Sequence, residues 1–105
     1  MATDKPWDGS AARFKDAAEY CRACLVNENT GPSENWTKDK CHLPVREPGG
    51  AVNVNGLHAA AAALAGARGG VKIPPAEKAK AARKLRGLYR QAGEDIPDSL
   101  RNMGK

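Results

Sequence analysis

Aromatic side chains are scarce in this chain of 105 residues and make up only 5% of it. Leucine, valine, isoleucine and above all alanine must therefore fill most of the core, which buries about two thirds of the surface of the unfolded chain. No apolar run approaches the roughly 20 residues that span a bilayer. Residues 1–6 also lack the apolar region of a signal peptide. We expect one soluble, intracellular domain that does not enter a membrane.

Side chains that carry catalysis are also few, since the chain has only two histidines and three serines. It contains no Gly-x-Ser-x-Gly turn, no Gly-x-Gly-x-x-Gly fingerprint and no Gly-Lys-Ser/Thr phosphate-binding loop. The glycine-rich segment 66–70 follows a predicted helix and not a strand, so we interpret it as a turn or hinge. We expect a protein that is not an enzyme and has no small-molecule substrate.

Positive charge is concentrated in one segment. The formal net charge is +5, and residues 68–90 carry eight basic side chains against one acidic side chain, whereas the rest of the chain is slightly acidic. Such a segment is typical of a surface that binds phosphates or acidic partners, and it is also typical of a solvated helix face. No stacking rings or second half-site accompany it, so we expect weak, nonspecific electrostatic binding. The predicted binding residues are Lys78, Lys80, Arg83, Lys84, Arg86 and Arg90.

Three cysteines have the spacing of a metal site. Two residues separate Cys21 from Cys24, and Cys41 and His42 follow sixteen residues later. Three thiolates and an imidazole are typical of zinc coordination, with His58 as a substitute fourth ligand. The alternatives are small buried hydrophobic side chains or a redox dithiol. An odd cysteine count without an export signal predicts reduced thiols, and we expect no cofactor, with zinc as the alternative.

The periodicity of apolar residues predicts three helices. The first spans about residues 11–25, with Asp8 or Ser10 as its cap. The second follows Asn55 as its cap and ends at Gly66, and the third opens at residues 74–75 and ends at Gly93. We expect an apolar stripe of the third helix to lie in the core: Ala81, Leu85, Leu88, Tyr89 and Ala92.

Two short segments, residues 41–47 and 51–54, flank a Pro-Gly-Gly turn and predict a β-hairpin that packs on the helices. The predicted fold class is therefore mainly α with a minor β part, in a single compact domain of three helices and one hairpin. We expect residues 1–9 to form a flexible arm, residues 10–100 the globular domain and residues 101–105 a flexible tail. Residues 96–100 return one or two apolar side chains to the core.

Five segments stand out when they are read in order: Pro6-Trp7-Asp8-Gly9-Ser10, Tyr20-Cys21-Arg22-Ala23-Cys24-Leu25, Leu43-Pro44-Val45-Arg46-Glu47-Pro48, Asn53-Val54-Asn55-Gly56-Leu57-His58-Ala59-Ala60, and Ala81-Ala82-Arg83-Lys84-Leu85 with Leu88-Tyr89-Arg90. Together they resemble an uncharacterised small domain of tailed phages and prophages. That domain occurs alone or attached to capsid-maturation (prohead) proteases. The resemblance covers about residues 6–100 and implies no catalytic residue.

The predicted function is that of a non-enzymatic, phage-type accessory or interaction module. It would act in head assembly or on packaged nucleic acid, with the basic third helix contacting a phage protein or the nucleic acid. The resemblance implies a location in the host cytoplasm or in the virion. The alternative is a small zinc-stabilised protein that binds nucleic acid.

Overall fold

The computed structural model describes residues 2–66 and 72–103, so most of the predicted glycine-rich turn lies outside the described residues. Within these ranges the chain forms four α-helices, α1 (Ala17–Ala23), α2 (Val54–Leu64), α3 (Pro75–Ala92) and α4 (Asp98–Arg101), and two strands, β1 (Cys24–Asn27) and β2 (Cys41–Pro44). The predicted fold class, mainly α with one short antiparallel β-pair, is confirmed. None of the helices in the described part of the chain has the length and apolar character that a membrane crossing requires.

The first predicted helix, over residues 11–25, is much shorter in the structure. Ser10 Oγ accepts a hydrogen bond from the Ala12 amide at 3.2 Å, but this cap serves only a single 3-10 turn. The α-helix begins after Asp16, whose Oδ1 accepts from the Glu19 amide at 2.8 Å. It ends at Ala23 because the backbone becomes extended at the next residue and enters β1.

The predicted hairpin forms only in part: the Asn53 amide donates to the Val45 carbonyl at 2.9 Å across the predicted turn, but the regular partner of the first strand is β1. β2 pairs in antiparallel fashion with β1, which places Val26 opposite His42. Residues 51–54 contribute only isolated bridges, such as the antiparallel one between Arg46 and Val52. Leu25 and Val26 are buried, whereas Val52 is only partly buried, so β1 brings more apolar area to the core than residues 51–54 do.

The N-terminus of α2 shows which asparagine caps it. Asn53, not the predicted Asn55, is the cap, and its buried Oδ1 accepts from the Gly56 amide at 3.1 Å. Asn55 Nδ2 instead donates to the carbonyl of Asp4 at 2.9 Å. The segment predicted as an arm therefore contacts the domain, and the Trp7 ring lies so close to Gly56 that an added Cβ would meet it at 3.1 Å.

The main core lies between α2, α3, α4 and the strands. Leu57, Leu85, Tyr89 and Leu100 are fully buried, which confirms the predicted stripe of α3 and the return of residues 96–100 to the core. Gly93 ends α3 with a left-handed φ of 73°, as its position predicts. A second apolar cluster forms around α1 and β2, and it comprises Phe14, Tyr20, Cys21, Ala23 and Cys41.

Candidate functional site

All six predicted binding residues lie on α3, but they are not equally available. Lys80, Arg83, Lys84 and Arg90 are exposed, whereas Lys78 and Arg86 are half-buried. A helix turns about 100° per residue, so positions seven apart lie on the same stripe. We call Lys80, Arg83 and Arg90 the basic face, and one acidic side chain, Glu77, lies beside it, with Oε1 3.7 Å from Lys80 Nζ.

Two of the predicted residues hold the fold together. Arg86 Nη1 donates to the Leu100 carbonyl at 3.0 Å and to the Met103 carbonyl, so this guanidinium fixes α4 and the segment after it against α3. Lys84 Nζ donates to the Leu25 carbonyl at 3.4 Å and links α3 to β1. Part of the charge of α3 is therefore engaged in contacts between elements of the fold.

The four predicted zinc ligands are not brought together. Cys21 and Cys41 form a disulfide with a Cα–Cα distance of 5.4 Å, so the expectation of reduced thiols is wrong for this pair. Cys24 is free, and His42 Nε2 lies 3.5 Å from Glu28 Oε1. No group of three or more His, Cys, Asp or Glu side chains that could hold a metal ion occurs in residues 2–66 and 72–103.

Sequence reasoning missed the side-chain contacts that hold the loop closed by the disulfide. Asn29 Nδ2 donates to the Thr37 carbonyl at 3.0 Å and lies 3.3 Å from Cys41 Sγ, while its Oδ1 accepts from the Thr37 amide at 3.0 Å. One asparagine thus connects both sides of the loop to the disulfide. The turn-forming composition of residues 27–37 predicts a loop, but it contains no signal for this contact.

The free thiol of Cys24 is not a nucleophile at neutral pH. Burial raises the pKa of Cys24 from its ordinary value of 9.0 to about 12, while a hydrogen bond from Tyr20 acts in the opposite direction. Burial also raises the pKa of Tyr20. Since the thiolate is the reactive form, Cys24 stays protonated and behaves as a small apolar side chain.

A groove beside α3 is the second feature that sequence reasoning missed. A cavity of about 260 Å³ lies between α3 and β1, and three cationic residues from different parts of the chain line it: Arg22, Arg46 and Lys84. Gly87 and Gln91 of α3 also line it. We call this cavity the basic groove. The one local signal for it in the sequence is Gly87, because a glycine inside a helix is unfavourable unless something needs the space.

Comparison of the chain with protein-family models, with curated proteins and with solved structures found no match. The resemblance to a phage domain therefore stays a prediction.

Proposed function

We propose that the protein is a non-enzymatic interaction module that binds double-stranded nucleic acid through its backbone phosphates. The observation that carries this proposal is the basic face, where Arg83 and Arg90 are exposed on one stripe of an 18-residue helix. The core on the opposite side of α3 is formed by Leu85 and Tyr89, both fully buried. Arg83 and Arg90 can therefore contact a partner without exposing the core.

The expected binding is electrostatic and independent of base sequence. Arg83 and Arg90 are separated by two turns, about 10 Å along the helix axis, so their side chains can contact different phosphates of one duplex. The aromatic ring of α3, Tyr89, is buried and cannot stack on a base. Each phosphate contact releases condensed counterions, so affinity falls steeply as salt rises.

The biological setting of this proposal comes from the resemblance to the phage domain. We place the protein among phage-type accessory modules that act in head assembly or on packaged nucleic acid, in the host cytoplasm or in the virion. In that setting a weak, sequence-independent contact with nucleic acid serves a protein that must act anywhere along a genome.

Fluorescence anisotropy with two duplexes of unrelated sequence, each of about 20 base pairs, tests the proposal. We expect the two affinities to agree within about threefold at low salt, and both to fall together by at least about tenfold between about 50 and 200 mM salt. A lack of binding at low salt contradicts the proposal. A strong preference for one duplex contradicts the claim that phosphates alone are recognised.

A further inference from the structure

The basic groove collects charge that α3 alone does not supply. Arg22 comes from the end of α1 and Arg46 from the segment after β2, and both line the cavity together with Lys84 of α3. Among the described residues that line this cavity, none is acidic. Three cationic residues thus line a cavity of about 260 Å³, and no carboxylate is among its lining residues.

An adjoining cleft shares Arg22 and Arg46 with the groove, and three acidic residues that each have a contact line it. Glu47 Oε2 pairs with Arg13 Nη2 at 2.6 Å. Glu19 Oε1 accepts from the Lys15 amide at 2.9 Å. The third, Asp16, caps α1. Of these three, only Glu47 pairs with a cation, whereas Glu19 and Asp16 contact backbone amides. All three line that cleft and not the groove.

The contacts of the groove cations also leave them able to bind. Arg46 Nη1 donates to the Gly50 carbonyl at 3.1 Å, and Lys84 Nζ makes its contact with the Leu25 carbonyl. Neither partner is a carboxylate, so neither contact neutralises the positive charge. Arg22 is exposed. A guanidinium has five donors and an ammonium three, so donors remain for an anion.

Gly87 lines the groove and leaves the surface of α3 open at that point. It lies in the middle of α3, where glycine is the least favourable residue other than proline. A Cβ added at Gly87 would meet nothing within 4 Å, so packing does not require the glycine. On the helix it is four residues from Arg83 and three from Lys84 and Arg90, between the basic face and the groove. A missing side chain at this point lets another backbone approach α3 closely.

We propose that the basic groove seats a backbone phosphate of the nucleic acid that the basic face contacts, with Gly87 as the point of closest approach. This inference rests on the proposed function and adds a defined phosphate-binding site to it. Two arginines and a lysine that line one cavity offer the donors that suit the negative oxygens of a phosphate. The basic face continues the positive charge on the other side of Gly87, as a chain of regularly spaced phosphates requires.

The test compares two groove variants with a matched control in duplex binding at about 50 mM salt. The first variant is Arg22→Gln with Arg46→Gln, and its control, Lys5→Gln with Lys40→Gln, removes the same charge from exposed lysines outside α3. The second variant is Gly87→Leu, which changes no charge and fills the point of approach. We expect the melting temperature of Gly87→Leu to equal or exceed that of the native chain, because leucine favours the helix.

We expect both groove variants to weaken binding about tenfold relative to the control. The arginine variant should also make the plot of log affinity against log salt shallower, with a slope smaller in magnitude by about 0.9, the value for one phosphate. Native affinity in both groove variants overturns the inference and leaves the proposed function standing, because the native chain still binds. No duplex binding by the native chain overturns both. Groove-dependent binding of polyglutamate in place of the duplex overturns the inference in favour of an acidic protein partner.

Discussion

Lys84 Nζ donates a hydrogen bond to the carbonyl oxygen of Leu25 at 3.4 Å and thereby connects α3 to β1. This contact holds the ammonium at the wall of the basic groove. Its sequence neighbour Arg83 belongs instead to the basic face. Two adjacent cations of one helix therefore serve two surfaces, which a count of basic residues along the chain does not reveal.

Leu85→Ala should destabilise the protein by about 2–5 kcal/mol, because it opens a cavity in a tightly packed interior. Leu85 is fully buried, whereas Leu88 on the same helix is only partly buried. Leu88→Ala should therefore cost clearly less. Denaturant unfolding of both variants checks this order, and equal losses would contradict the packing described for α3.

Reduction of the Cys21–Cys41 disulfide should lower the stability of the native chain by about 3 kcal/mol, since the cross-link restricts the unfolded chain. The melting temperature with and without a dithiol reductant measures the effect. Cys24→Ser should retain the full sensitivity to reductant, and Cys21→Ser with Cys41→Ser should lose it. A native melt that reductant leaves unchanged would contradict the disulfide.

Stability should fall as pH rises from about 9 towards about 12. The folded pKa of Cys24 is raised from 9.0 to about 12, so its contribution is complete below pH 9 and is lost as the pH approaches the folded value. Burial raises the pKa of Tyr20 and so acts in the same direction. Melting temperatures across this range test the sign, and Cys24→Ala should show a shallower decline than the native chain. An equally steep decline would assign the effect to other groups.

Tyr89→Phe should leave the protein equally stable or make it more stable, by up to about 1 kcal/mol. The Tyr89 hydroxyl is buried and has no hydrogen-bond partner among the described residues. Burial, followed by the charge of Glu94, raises the pKa of this hydroxyl. Removal of an unsatisfied polar atom costs nothing in packing if the ring stays in place. A loss of more than about 1 kcal/mol in urea unfolding would indicate a partner for this hydroxyl.

The sequence predicts α3 well because every signal for it is local. A proline opens the helix, the apolar stripe repeats with helical spacing and Gly93 closes it. The stripe also identifies Leu85 and Tyr89 as core residues without knowledge of what they pack against. An element predicted from local signals forms as predicted when its tertiary contacts favour the same structure.

The first helix and the hairpin could not be predicted correctly, because their boundaries depend on distant partners. Leu25 and Val26 are adjacent and both buried, a pattern that suits a short strand as well as a helix end. Pairing with β2 decides between the two. The predicted partner, residues 51–54, is closer in sequence, but it contributes only an isolated bridge between Arg46 and Val52, because α2 begins directly after Asn53.

The candidate site could be predicted only in part. The basic face follows from the charge pattern of α3, whereas the basic groove combines Arg22 and Arg46 from separate segments that only the folded chain brings together. The disulfide likewise depends on the approach of α1 to β2, which cysteine spacing alone does not specify.

Charge reversal on the basic face tests the central claim most directly. The test uses two double variants. The first carries Arg83→Glu and Arg90→Glu, and the control carries Lys5→Glu and Lys40→Glu, which change the net charge equally at exposed lysines outside α3. The account predicts that the first pair lowers duplex affinity at low salt by about a hundredfold, since contacts with two phosphates become repulsive. The control should lower it by less than about fivefold. Equal losses in the two proteins would show that net charge alone attracts the duplex, and they would contradict a binding surface on α3.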